Sequence, residues 1–189
     1  LEGDGRFADQ MEVALYNSIL SGISLDGTAY YYQNPLLDDG AHRRQQWFPV
    51  ACCPSNVSRT LASLPGYLYT VSENTVWAHH YASNNASMAL PDGRSIELAQ
   101  QTDYPWDGKV SLTTRTAGQY DLKLRIPGWV RDGWTLTVNG QAITQTPVKG
   151  YVTLAREWHS GDQITLDLPR PVERIESHPL ALDNQARVE

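Results

Sequence analysis

The sequence predicts an α+β chain in two parts: a helical front, and behind it an antiparallel β-sandwich of jelly-roll type. Three observations predict this. Apolar residues recur at helical spacing in two early stretches, Phe7-Met11-Leu15-Ile19 and Val57-Leu61-Leu64. From Tyr67 onward the chain breaks into short β-runs spaced roughly ten residues apart, the pattern of a sandwich. Turn signals separate those runs: Pro91-Asp92-Gly93, Asp107-Gly108, Asn139-Gly140 and Ser160-Gly161-Asp162. The border falls near Tyr69, giving a helical part over 1–68 and a β-sandwich over 69–189.

The elements follow in order. Residues 6–21 read as one helix, with Asp4 able to cap its start and Gly22 to end it. Ala8, Ala14 and Leu20 widen the apolar stripe, and Glu12 lies at its margin, where a glutamate is usually solvated or salt-bridged. Leu25-Asp26-Gly27-Thr28 is a turn. Ala29–Gln33 is a short extended run, placing Tyr31 on one face and Tyr30 and Tyr32 on the other. Leu37–Gln46 is a polar loop carrying His42, Arg43 and Arg44. A helix follows from Asn56, capped by Ser55 or Asn56. In the β-part, Leu122, Leu124 and Ile126 alternate with Asp121, Lys123 and Arg125, predicting one buried and one wet face.

Composition excludes several function classes. A net charge of −6 argues against a nucleic-acid partner, which would want a basic patch. No apolar run is long enough for a membrane-spanning helix. Six Trp and ten Tyr suit both a β-core and the stacking of sugars. The two cysteines without a disulfide framework fit a reducing, cytoplasmic compartment.

Those cysteines, Cys52 and Cys53, are adjacent and stand just before a helix start. The positive end of a helix dipole favours the thiolate, the form that attacks electrophiles and binds metals. The pair alone admits three readings: a strained vicinal disulfide, two unreactive core thiols, or soft-metal and nucleophilic chemistry. A redox motif fits poorly, because the two-residue spacer is missing.

The wider pattern adds to this. Trp47-Phe48, Ala51-Cys52-Cys53-Pro54 and Asn56 are followed by the stretch from Arg59 to Tyr69. Together with Phe7–Asn17, Leu25-Asp26-Gly27, Tyr32–Leu36, Thr102–Gly108 and Leu124–Trp129, this order of motifs resembles the glycoside hydrolase family 127 β-L-arabinofuranosidases and covers nearly the whole chain. The resemblance implies that residues 1–68 are the C-terminal portion of an (α/α)6 catalytic barrel. It implies a retaining glycosidase acting on an arabinofuranoside or related sugar. Cys52 would be the nucleophile and a zinc ligand, and Cys53 a second zinc ligand. Tyr32 would be a substrate-binding residue and Glu12 an active-site carboxylate.

The chain departs from the family pattern in two ways that matter. It has no Glu-x-Cys, the source of the two remaining Zn2+ ligands, and no candidate for the acid/base glutamate that precedes it. It therefore reads as a fragment whose isolated form would be inactive and hold zinc poorly. The alternative is a non-catalytic carbohydrate-binding β-sandwich with a helical stub. The oligomeric state stays open, a homodimer included.

Overall fold

The computed structural model describes residues 3–35, 38–174 and 176–180. The Leu36–Leu37 part of the predicted Tyr32–Leu36 motif and polar loop lies outside the described residues, as does the end of the chain from 181.

The front is helical, as expected, but its first helix is not uniform. Helix α1 (Gly5–Ala14) starts at Asp4, whose carboxylate accepts from the Arg6 N–H at 3.0 Å. The α-helical bonding stops at Ala14; a π-helical turn covers Leu15–Ile19 and a 3-10 turn covers Leu20–Gly22. The face that α1 buries is also not the apolar stripe. Gly5, Ala8 and Glu12 are the buried positions, while Phe7 of the stripe stays 41% exposed. Helix α2 (Cys52–Ser63) begins four residues earlier than the sequence suggested. Its N-cap position is Ala51, without a side-chain cap, so Ser55 and Asn56 lie inside its first turn. Both side chains donate to the Cys52 carbonyl, at 2.8 and 3.0 Å. This is the helix-internal bonding available to Ser and Asn when they are not capping. A single turn, α3 (Pro65–Leu68), leads into the β-part.

Ten strands follow: β1 (Tyr69–Ser72), β2 (Thr75–Ala78), β3 (Asn84–Ala89), β4 (Ser95–Thr102), β5 (Lys109–Thr114), β6 (Gly118–Arg125), β7 (Thr135–Val138), β8 (Gln141–Ala142), β9 (Tyr151–Trp158) and β10 (Gln163–Asp167). They form a four-stranded sheet in the order β1-β2-β6-β9 and a six-stranded sheet in the order β3-β4-β5-β10-β7-β8. Pairing is antiparallel except between β2 and β6, where Val76 faces Leu122 in a parallel register. The wholly antiparallel expectation is corrected there. After β2 the chain crosses to the other sheet, builds β3 to β5, and returns beside β2 in the same direction. Such a long crossover is what a parallel pair requires.

The inner faces meet in one core. Val76, Leu122, Leu124, Val152 and Trp158 from one sheet join Ile96, Leu98, Val110, Leu112, Ile164 and Leu166 from the other. Each fully buried aliphatic side chain contributes about 1.5–3 kcal/mol relative to exposure. The outer face of β6 is not wet at its end: Arg125 is fully buried, because α1 lies over it.

That contact is a polar clamp. Arg125 Nη1 reaches Asp9 Oδ1 at 2.5 Å, Nη2 pairs with Glu12, and Nε donates to the His79 carbonyl at 2.5 Å. Glu12 Oε1 also accepts from Trp129 Nε1 at 2.9 Å, and Asp9 Oδ1 from the Gly128 N–H at 3.1 Å. A Cβ on Gly128 would stand 2.6 Å from Asp9 Oδ2, so only glycine lets that carboxylate approach the backbone.

Candidate active site

Three segments converge on the cysteines. The first is the start of α2, which sets Cys52 and Cys53 at its first two positions with their sulfurs 3.7 Å apart and no disulfide. The second is the Tyr30–Gln33 run. It is shorter than the predicted strand, pairing only through isolated bridges of Tyr30 to Ile23 and to Gln45. The alternation of faces is nonetheless present. The Tyr30 and Tyr32 rings both lie against Phe48, each with centroids 5.3 Å apart. On the other side Tyr31 stacks on His42 at 4.5 Å and carries the Arg44 guanidinium at 4.4 Å. The third segment is the 38–50 loop, which brings His42 and Phe48.

The run is fixed to the end of the first helix. Tyr31 N donates to the Gly22 carbonyl at 2.8 Å, and Asn34 Nδ2 to the Ser18 carbonyl at 3.1 Å. The turn between them forms where expected. Asp26 accepts from Ser24 and Thr28, and these bonds, that of Ser24 foremost, hold its carboxyl down at about 2.

The Tyr32 hydroxyl lies 2.9 Å from Cys52 Sγ. Its hydrogen bond to Cys52 is the main reason the phenol is pushed up to about 12. The phenol therefore keeps its proton at neutral pH and can donate it to the sulfur. The same bond, followed by one from Cys53, lowers the Cys52 thiol below its ordinary value. Its bond to Cys52, followed by burial, raises Cys53. Two adjacent thiols are thus differentiated: their contacts lower Cys52 and raise Cys53. The α2 N-terminus acts in the same direction on Cys52. Cys52 is exposed.

Glu12 is not among these groups. Its carboxylate is taken up by Arg125 and Trp129, and it lines a separate cleft of about 400 Å³ with Tyr16, Tyr104, Trp129 and Arg170. His42 lies at a ring nitrogen–carbonyl contact, its Nε2 2.9 Å from the Gln33 carbonyl oxygen. Phe48 and Gln45 were not singled out from sequence. Phe48 was visible only as part of the apolar approach to the cysteines, and Gln45 gave no signal.

Among the described residues, no group of three or more His, Cys, Asp or Glu is placed to hold a metal ion. The cysteine pair by itself fits half of a tetrahedral zinc site. Two sulfurs bound at about 2.3 Å with tetrahedral angles would stand about 3.8 Å apart, close to the 3.7 Å seen here.

A cleft of about 640 Å³ opens beside Tyr32, lined by the apolar Phe48, Pro49 and Val50 and by the polar Gln33, Arg43 and Gln45. The site thus combines a paired-cysteine centre at a helix N-terminus, a phenol on one sulfur and an appended pair of β-sheets. Residues 1–66 match the beta-L-arabinofuranosidase GH127 catalytic domain and residues 75–170 the GH127 middle domain, so the chain belongs to the GH127 β-L-arabinofuranosidase family. It is 37% identical, over 94% of its length, to a non-reducing end beta-L-arabinofuranosidase of Bifidobacterium longum, of which it covers 29%. It superposes over its full length on a GH127 beta-L-arabinofuranosidase from Geobacillus stearothermophilus T6 with a TM-score of 0.88 and 41% identity. A second GH127 beta-arabinofuranosidase gives a TM-score of 0.90 and 37% identity. The chain spans about a third of each of these structures.

Proposed function

We propose that this chain is the end of an (α/α)6 catalytic barrel and the following β-sandwich of a retaining glycoside hydrolase. Its substrate would be a β-L-arabinofuranoside and its nucleophile Cys52. The observation that carries this reading is the 2.9 Å contact of Tyr32 with the Cys52 sulfur at the start of α2. It supports a thiolate held ready at neutral pH, on an exposed side chain, at the edge of a sugar-sized cleft.

Cys52 Sγ attacks the anomeric carbon, the bond to the leaving oxygen breaks, and a thioglycoside forms on Cys52. Water then displaces the sulfur with a second inversion, so configuration is retained. Most retaining glycosidases use a carboxylate for the first attack; here a thiolate takes that place. The proton for the leaving oxygen comes from an acid/base outside this chain. Tyr32, released from the thiolate as the sulfur bonds carbon, is left to donate to a sugar hydroxyl. Cys52 and Cys53 would provide two of four zinc ligands, and the ion supplies the charge that keeps sulfur deprotonated. Glu12 would serve the site from the clamp, by fixing α1 and, through the π-helical and 3-10 turns that continue it, the Tyr31–Asn34 run. The barrel reading draws support from the helical front, where Phe7 and Val13 of α1 and Leu20 of the later 3-10 turn remain exposed.

The test is zinc content and turnover of a p-nitrophenyl β-L-arabinofuranoside by the full-length protein. Cys52→Ser should abolish turnover, since a serine hydroxyl stays protonated at neutral pH. Cys53→Ser should reduce zinc content and turnover together. Full activity in Cys52→Ser would overturn the reading.

A further inference from the structure

We propose that Arg43 and Gln45 are specificity-determining residues that receive the leaving-group sugar of the substrate. This inference rests on Cys52 being the glycosidic nucleophile.

The cleft lined by Tyr32, whose hydroxyl touches Cys52, is larger than one five-membered sugar needs. Its volume of about 640 Å³ lies within the roughly 300–1,000 Å³ of pockets that enclose a drug-sized ligand. Displacement by sulfur requires the leaving oxygen on the far side of the anomeric carbon from Sγ. A ring seated at the Tyr32–Cys52 end therefore sends its leaving group away from the thiol and along the cleft. The walls available there are apolar at Phe48 and Val50 and polar at Gln33, Arg43 and Gln45. A sugar presents the matching pair of surfaces, C–H groups on one face and hydroxyls at the rim.

The polar wall is built rather than loose. Asp38 Oδ1 accepts from the Gly40 and His42 N–H groups, at 2.8 and 3.2 Å. His42 is held between the Gln33 carbonyl and the Tyr31 ring. Arg44 lies over the other side of the Tyr31 pairing and donates to the Ser21 carbonyl at 2.6 Å. Gln45 exchanges two backbone hydrogen bonds with Tyr30, both 3.0 Å. His42 and Arg44 are thus spent on holding the loop. Arg43 and Gln45 are exposed side chains on the fixed backbone between and beside them. Arg43 uses one N–H on the His42 carbonyl at 2.8 Å; a guanidinium has further donors for a ligand. Pre-ordering of this wall reduces the cost of recognition.

The experiment compares two substrates on the full-length enzyme: a p-nitrophenyl β-L-arabinofuranoside and a β-L-arabinofuranosyl disaccharide. Arg43→Ala and Gln45→Ala should each lower kcat/KM for the disaccharide roughly tenfold or more, the effect of leaving polar partners unmatched. The loss on the p-nitrophenyl substrate, whose leaving group carries no sugar hydroxyls, should be several-fold smaller, and Arg43→Lys should recover part of the disaccharide activity. Equal losses on both substrates, or no loss on the disaccharide, would overturn the assignment while the glycosidase reading stands. A wild-type enzyme inert on both substrates would overturn that reading and this inference with it.

Discussion

Cys52 and Tyr32 share one proton-bearing contact, and the direction of that bond decides the chemistry at the residue scale. With the phenol pushed up to about 12, its hydrogen lies toward sulfur, and Cys52 is the thiol that ionises first. In the metal-depleted protein at pH 7, iodoacetamide should therefore alkylate Cys52 before Cys53, read by peptide mass spectrometry. Tyr32→Phe removes the donor and should slow Cys52 labelling several-fold while leaving Cys53 slow. Equal labelling of the two cysteines in the parent protein would contradict the differentiation. The cysteine pair and Tyr32 were legible in the sequence because motif order and face alternation both survive folding. The pairing of Glu12 was not. Its partners Arg125 and Trp129 lie more than a hundred residues away, and no local pattern links them.

Helix α1 shows at the element scale why periodicity alone misplaced a face. The Phe7-Met11-Leu15 stripe predicted the buried side, but α1 meets the sandwich through Gly5, Ala8, Asp9 and Glu12. The decisive partner is one buried cation on β6, which alternation had assigned to solvent. Removing Arg125 strands the buried Glu12 charge, and loss of one partner of such a pair costs about 3–5 kcal/mol. Arg125→Met should lower the urea-unfolding stability by that order. Adding Glu12→Gln to it should recover part of the loss, because the stranded charge is gone. An additive double variant would contradict the clamp. The strands themselves were legible in outline, since short alternating runs between Gly and Asp turns specify them locally. The β2–β6 parallel pair was not, because it depends on the path the chain takes through the other sheet.

At the scale of the molecule, the clamp and the sandwich core make stability depend on pH. His79 is buried with both ring nitrogens bonded, to Thr70 at 2.8 Å and to Tyr151 at 2.7 Å, and His80 is buried beside it. Burial first, with positive neighbours adding, holds both down at about 4. Unfolded histidines titrate near 6.5, so between 6.5 and 4 the unfolded chain binds more protons than the folded one. Stability is full above pH 7 and falls as pH drops through that window, by about 1–2 kcal/mol per histidine between pH 7 and 5. Urea midpoints at the two pH values measure this, and His80→Gln should flatten the dependence; a midpoint unchanged by pH would contradict it. The proposed nucleophile, Cys52, can be trapped as a covalent intermediate. The most direct measurement is mass spectrometry of the full-length enzyme, acid-quenched during turnover of an activated β-L-arabinofuranoside. The account predicts a pentosyl adduct on the peptide carrying Cys52, absent in Cys52→Ser. An adduct on a carboxylate side chain, or turnover that persists in Cys52→Ser, would contradict it.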